Sequence, residues 1–80
     1  MNEKRYITVR QMKVGQSGRV VDIHGGPGFA RRLQAMGIRP GKRITKVSSM
    51  FMHGPVTVQV DRARFAIGFG MANRIIVEEE

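Results

Sequence analysis

Glycine divides this sequence into short segments, and that spacing limits the elements it can form. The chain has 80 residues and ten glycines, and the longest run without glycine, 1–14, has 14 residues. Short segments bounded by turn residues at close, regular spacing are typical of small β-barrels and sandwiches. A chain of 80 residues also predicts one small domain. We therefore expect a single mainly β domain over residues 1–80, with its core at 7–78.

About five segments have the composition of strands. Val56, Val58 and Val60 alternate with polar residues, as in a strand with one buried face. In the first strand, the same alternation places Val21 and Ile23 on one face. The predicted strands are 18–24, 42–50, 56–61, 63–67 and 74–78.

The strand at 42–50 contains an irregularity. Ile44 and Val47 are both apolar but differ in parity, so a regular strand would place them on opposite faces. We therefore predict a bend or bulge between them. Residues 8–15 are expected to be a lead-in that ends in a turn, and 69–73 a helical turn before the last strand.

One helix is predicted after the first strand, and its end is well specified. Phe29, Leu33 and Met36 fall on one side of a helix. Gly37 suits the left-handed position after a helix, where Ile38 can contact Leu33 as in a Schellman motif. In residues 39–42 a proline and a glycine hold the positions that a type II turn prefers. The predicted structural motif is Leu33, Gly37, Ile38, Pro40 and Gly41.

Together these elements predict a small β-barrel of about five strands with one α-helix inserted after the first strand. The chain is strongly basic: 14 Lys and Arg against six Asp and Glu give a net charge of +8, which favours anionic partners. It has no cysteine, which excludes disulfides and thiolate metal sites. No apolar run approaches the ~18 residues of a membrane span. We expect a cytoplasmic protein without direct membrane insertion.

Side chains suited to catalysis are sparse. The acids are Glu3, Asp22, Asp61 and residues 78–80, and they offer no paired-carboxylate or Ser/His/acid arrangement. The glycine-rich segment 25–28 lacks the spacing and the lysine of a P-loop. We therefore expect neither an enzyme nor a cofactor.

Metal binding has weak support in the sequence. A metal site needs three or four convergent ligands. His24 and His53 lie 29 residues apart, and the other candidates near them are Asp22, Met50 and Met52. Direct carriage of Fe(II) or Cu(I) by these side chains is a minor alternative, and no metal site is predicted.

An apolar loop is the clearest candidate for a partner-binding surface. Met50, Phe51 and Met52 precede a turn at His53, so not all three apolar side chains can point into a barrel. Methionine adapts to many partners, and aromatic residues are enriched at interfaces. The alternative is that Met50 and Met52 face the core while Phe51 caps an edge. An exposed Phe51 beside an open barrel edge would also allow weak self-association.

Arginines on and after the helix form a second candidate surface, Arg31, Arg32 and Arg39. A solvated helix face is the ordinary explanation for such residues. Proteins that bind single strands place aromatic side chains among the basic ones, whereas most aromatics here fall at core positions. Nucleic-acid binding is therefore not expected, although a basic nucleic-acid-binding barrel is the alternative function.

The segment L-x-x-M-G-I-x-P-G at 33–41, preceded by Arg31 and Arg32, resembles the signature of the FeoA domain family. "KVGQSGRVVDI" at 13–23, "GPVTVQV" at 54–60 and "ANRIIV" at 72–77 are also similar to that family. The resemblance implies an SH3-like β-barrel and a small cytosolic protein of ferrous iron uptake. It further implies an interaction module for FeoB, a membrane iron transporter whose cytosolic part is a GTPase. The hairpin at Asp61 lacks the glycine of the family pattern, which leaves its turn type open.

Overall fold

The computed structural model describes residues 3–50 and 52–80. Its strands form a single six-stranded sheet in the order β1-β6-β2-β3-β4-β5, and every pairing is antiparallel. The elements are β1 (Tyr6–Thr8), β2 (Ser17–Ile23), α1 (Pro27–Ala35), β3 (Arg43–Ser49), β4 (Val56–Val60), β5 (Ala63–Ile67), α2 (Phe69–Ala72) and β6 (Ile75–Glu79).

One hydrophobic core joins these elements, and the five longer strands and both helices all contribute to it. The three valines of β4 are buried, as their alternation predicts. Within the described residues no ladder joins β5 to β1, so the sheet is open between these two strands. The mainly β prediction, with a helix after the first long strand, is confirmed.

The strand Tyr6–Thr8 was not predicted from the sequence. The predicted lead-in, 8–15, overlaps it only at Thr8. This strand pairs with β6, with Tyr6 opposite Glu78 and Thr8 opposite Ile76. The fold therefore has six strands where about five were expected. A three-residue strand is too short to show an alternation, and its partner lies at the other end of the chain, so local patterns do not reveal it.

Two β-bulges change which side chains face the core. The register of β3 shifts between Lys46 and Ser48, which confirms the irregularity predicted in this strand. A second shift, between Val20 and Asp22, interrupts the alternation in β2. Ile23 packs against the core and Asp22 is exposed, as predicted, but the prediction missed Val20. Val20 is fully buried and Val21 only half-buried, because the bulge interrupts the alternation on which the prediction depended.

The end of α1 has both hydrogen bonds of the predicted Schellman motif. The Ile38 amide donates to the Leu33 carbonyl at 2.9 Å and the Gly37 amide to the Gln34 carbonyl at 2.9 Å, which are the two bonds of a Schellman motif. Gly37 has a φ of 83°, and the side chains of Leu33 and Ile38 are fully buried. In the following turn the Lys42 amide donates to the Arg39 carbonyl at 3.1 Å.

Two residues in other turns, Gly41 and Asp61, also have left-handed backbone conformations. Gly41, third in the turn after Pro40, has a φ of 95°, as a type II turn demands. In the hairpin between β4 and β5, Asp61 has a φ of 55°, a conformation that aspartate tolerates better than most residues.

Candidate partner-binding cleft

A cleft of about 280 Å³ opens where the loop after β3 meets α2 and the segment that follows β1. Its walls combine apolar side chains with two cations. We call it the Phe69 cleft and define it by Arg10, Lys46, Met50, Met52, His53 and Phe69.

Phe69 is the first residue of α2, and its ring contacts two other residues that line the cleft. The His53 ring stacks on the Phe69 ring with centroids 4.3 Å apart and an interplanar angle of 30°. The Arg10 guanidinium lies 5.2 Å from the same ring centroid, within cation–π distance. Arg10 Nε also donates to Asn73 Oδ1 at 3.3 Å, which holds the guanidinium beside α2. These contacts join three segments that are distant in sequence.

The loop after β3 exposes its methionines to solvent. Met50 is 68% exposed and Met52 is 92% exposed, so the alternative in which both face the core is wrong. Met52 and His53 have φ values of 59° and 65°, and this left-handed pair directs the chain into the turn. Phe51, the third apolar residue of the predicted surface, lies outside the described residues.

Lys46 forms the buried side of the cleft. Its side chain is 4% exposed, and Nζ donates to the backbone carbonyls of Arg10 at 2.8 Å and Met12 at 2.7 Å. These two bonds attach β3 to the segment after β1. Burial lowers the pKa of the Lys46 ammonium, and the nearby positive charge of Arg10 lowers it further.

The predicted basic surface lies apart from this cleft. Arg31 and Arg32 are exposed on α1, and Arg39 is exposed in the turn after it. None of the three lines the cleft, whereas Met50, Met52 and His53 of the same predicted set all do. The structure therefore brings the loop residues together and leaves the arginines on a separate face.

The potential metal ligands do not converge. His24 Nε2 lies 3.0 Å from Asp22 Oδ2 at the end of β2, while His53 stacks on Phe69. Over residues 3–50 and 52–80, no group of three His, Asp or Glu side chains is arranged to hold a metal ion.

Arg10, Lys46 and Phe69 are the cleft residues that the sequence reading missed. Lys46 has the same parity as the buried Ile44, so strict alternation would have placed it inward. Burial of Lys46 was nevertheless not predicted, because lysine is almost never fully buried unless it is paired. Arg10 and Phe69 show no signal of their own in the sequence, since they reach the cleft only through the tertiary fold.

The fold resembles that of a known class of small domains with an SH3-like fold. The FeoA domain family matches residues 7–79. A candidate Fe(2+) transport protein A of Methanocaldococcus jannaschii is 34% identical over 67 residues, which are 84% of this chain and 79% of that protein. The chain belongs to the FeoA domain family.

Solved structures agree with this assignment. The crystal structure of an iron uptake regulatory protein, FeoA, is 37% identical, has a TM-score of 0.88, and aligns with 95% of this chain and 100% of that one. A zinc complex of FeoA from Stenotrophomonas maltophilia, described as an SH3 domain protein, is 28% identical with a TM-score of 0.75, covering 89% of this chain and 88% of that one. The SH3-like fold is thus confirmed.

The same fold also occurs within a longer protein. A manganese-dependent transcriptional repressor is 21% identical with a TM-score of 0.87. The alignment covers 100% of this chain and 45% of the repressor. Such a low identity establishes a shared fold alone.

In the described part of this chain, neither helix has the length and apolar character to cross a membrane.

Proposed function

We propose that this chain is an accessory protein of ferrous iron uptake that binds the cytosolic part of a FeoB-type membrane transporter. Membership of the FeoA family and the candidate Fe(2+) transport protein among its relatives support the iron-uptake context. The S. maltophilia relative is described as a candidate activating factor of bacterial ferrous iron transport. The proposed activity is binding, through which the chain would act on transport.

The observation that carries this proposal is the exposed apolar rim of the Phe69 cleft. Met50 and Met52 are 68% and 92% exposed, although burying them would favour folding. Flexible methionine side chains are common on surfaces that bind partner proteins. The rim surrounds a cleft rather than a flat face, which suits insertion of a partner's side chains.

The test is equilibrium binding of the protein to FeoB held in lipid nanodiscs, at low and at high salt. We expect saturable binding that survives moderate salt, because an apolar rim does not depend on screened charges. Met52→Ala should weaken binding about tenfold, as truncation of an interface anchor does. Val14→Ala is the matched control, because Val14 is 61% exposed but lies outside the cleft lining.

Two further outcomes would revise the proposal. In the first outcome, Met52→Ala binds FeoB as tightly as the parent, and the double variant Arg31→Glu, Arg32→Glu binds it more weakly. The exposed face of α1 would then be the contact. Single-stranded RNA is tested alongside. Binding to RNA with a steep linear fall of log affinity against log salt, and none to FeoB, would replace the proposal with the nucleic-acid alternative.

A further inference from the structure

Among residues 3–50 and 52–80, no carboxylate lines the Phe69 cleft beside its two cations. Four of the chain's six acids form ion pairs elsewhere, Asp61 with Lys42, Glu78 with Lys4, Glu79 with Arg5 and Glu80 with Arg43, and a fifth, Asp22, lies 3.0 Å from the His24 ring nitrogen. The sixth, Glu3, is exposed before β1, and none of the six lines the cleft. Arg10 and Lys46 therefore leave this site positively charged.

Lys46 is placed to accept an anion. An ammonium has three N–H donors, and two of them are taken by the carbonyls of Arg10 and Met12. To the described residues it makes no third hydrogen bond. Burial, and after it the nearby Arg10 guanidinium, disfavours the charged ammonium and lowers its pKa. A carboxylate entering the cleft would relieve both effects, because it supplies an acceptor and a negative charge.

Apolar side chains form part of the remaining lining, together with Ser49, His53 and Gly54. Phe69 and Val56 line it beside the exposed Met50 and Met52. A cleft of about 280 Å³ lies just below the usual range for drug-sized ligands, about 300–1,000 Å³. The space is large enough for one or two side chains of a polypeptide.

We propose that the Phe69 cleft binds a short acidic segment of a partner protein, with a carboxylate of that segment on Arg10 and Lys46 and a neighbouring apolar side chain against Phe69 and the methionine rim. Two cations without a carboxylate partner, next to apolar side chains, select this ligand by charge complementarity. The inference rests on the proposed function only for the partner's identity. Peptide chemistry can be tested without FeoB.

The probes are three labelled octapeptides with blocked ends, which alternate glutamate with leucine, glutamine with leucine, and glutamate with serine. Fluorescence anisotropy measures their binding to the intact protein. We expect the glutamate–leucine peptide to bind at least about tenfold more tightly than the other two, because only it supplies both features. Equal binding of all three, or none, overturns the inference.

Variants test whether this binding occurs in the cleft. Arg10→Gln should weaken the glutamate–leucine peptide about tenfold and reduce its salt dependence, because one charge contact is lost. Arg62→Gln is the matched control, since Arg62 is exposed in the β4–β5 hairpin and outside the cleft lining. Equal losses for the two variants overturn the inference, because they would report net charge alone. Lys46→Met is a second cleft variant, and Arg10→Gln keeps the test valid if Lys46→Met does not fold.

The same variants on nanodisc-held FeoB separate the two proposals. If FeoB binds and Arg10→Gln has no effect on either ligand, the proposed function stands and the cleft inference fails. If the glutamate–leucine peptide binds in an Arg10-dependent way while FeoB does not bind, the inference stands and the proposed transporter partner is wrong.

Discussion

The end of α1 and the Phe69 cleft differ in how far along the chain their contacts reach. At the helix end, the Ile38 amide bonds the Leu33 carbonyl, and both residues lie in one short segment. In the cleft, Lys46 bonds the carbonyls of Arg10 and Met12, more than thirty residues away in the sequence. The helix end is therefore specified locally, whereas the cleft exists only once the whole sheet has formed. Three substitutions test this contrast, and a fourth, at Glu80, tests an exposed ion pair outside both regions.

Leu33→Ala should have the largest effect. Leu33 is fully buried, so truncation leaves a cavity in the core and should lower the free energy of unfolding by about 2–5 kcal/mol. Urea denaturation measures this loss. Leu33→Met is the control and should cost less than about 1.5 kcal/mol, because it conserves volume. Equal costs for both would mean that packing at this helix end is not what stabilises it.

Lys46→Met should come next. It removes both hydrogen bonds to the segment after β1, leaves two carbonyls without that partner, and should cost about 1–3 kcal/mol. Lys13→Met is the control, because Lys13 is exposed nearby. A variant as stable as the parent would show that Lys46 does not attach β3 to this segment.

The pH dependence of this difference has a definite sign. The pKa of Lys46 is lower in the folded state than its ordinary value, so the unfolded chain binds more protons between these two values. Stability of the parent should therefore rise with pH through that window relative to Lys46→Met. Urea midpoints at several alkaline pH values measure the gap, and a gap that narrows would contradict the lowered pKa.

Gly37→Ala should cost about 1–2 kcal/mol, because it places a side chain at a φ of 83°. A Cβ there would meet Val60 at an ordinary 3.5 Å, so the cost is conformational rather than steric. Gly28→Ala is the matched control inside α1, where a Cβ meets nothing within 4 Å, and it should stabilise by about 0.5–1 kcal/mol. Thermal unfolding should thus move in opposite directions for the two variants.

Glu80→Gln should have the smallest effect. Glu80 pairs with Arg43 at 2.6 Å, but both side chains are exposed and screened by solvent. The hydrogen bond from Arg43 lowers the pKa of the Glu80 carboxyl, so this pair stabilises the fold above the carboxyl's ordinary pKa and ceases to do so as pH falls through the lowered one. Thermal unfolding of parent and variant should converge in acid. A gap that persists there would point to a role for Glu80 other than its charge.

The sequence sufficed for the parts of the fold that local chemistry determines. The type and end of α1 follow from Leu33, Gly37 and Ile38 because their contacts lie within one short segment. The bulge in β3 followed from the parity of Ile44 and Val47. The bulge in β2 was not predicted, because Val20 and Val21 are equally apolar and either could face inward.

The cleft was predictable only in part. Met50, Met52 and His53 lie within four consecutive residues, so the composition of that segment was enough to indicate a surface. Arg10 and Phe69 come together only because α2 and the segment after β1 lie beside the loop, and no local pattern encodes that contact.

The central position of β6 has a consequence for the order of folding. Because β6 lies between β1 and β2, neither strand can form its ladder with β6 before residues 75–79 are present, whereas β2 can already pair with β3. Pairings between distant parts of a chain carry a large loop-closure cost, which slows folding towards milliseconds to seconds. During synthesis on the ribosome, one edge of β2 therefore remains unpaired until the last strand emerges. Throughout that interval it is a template for misassembly with other nascent chains.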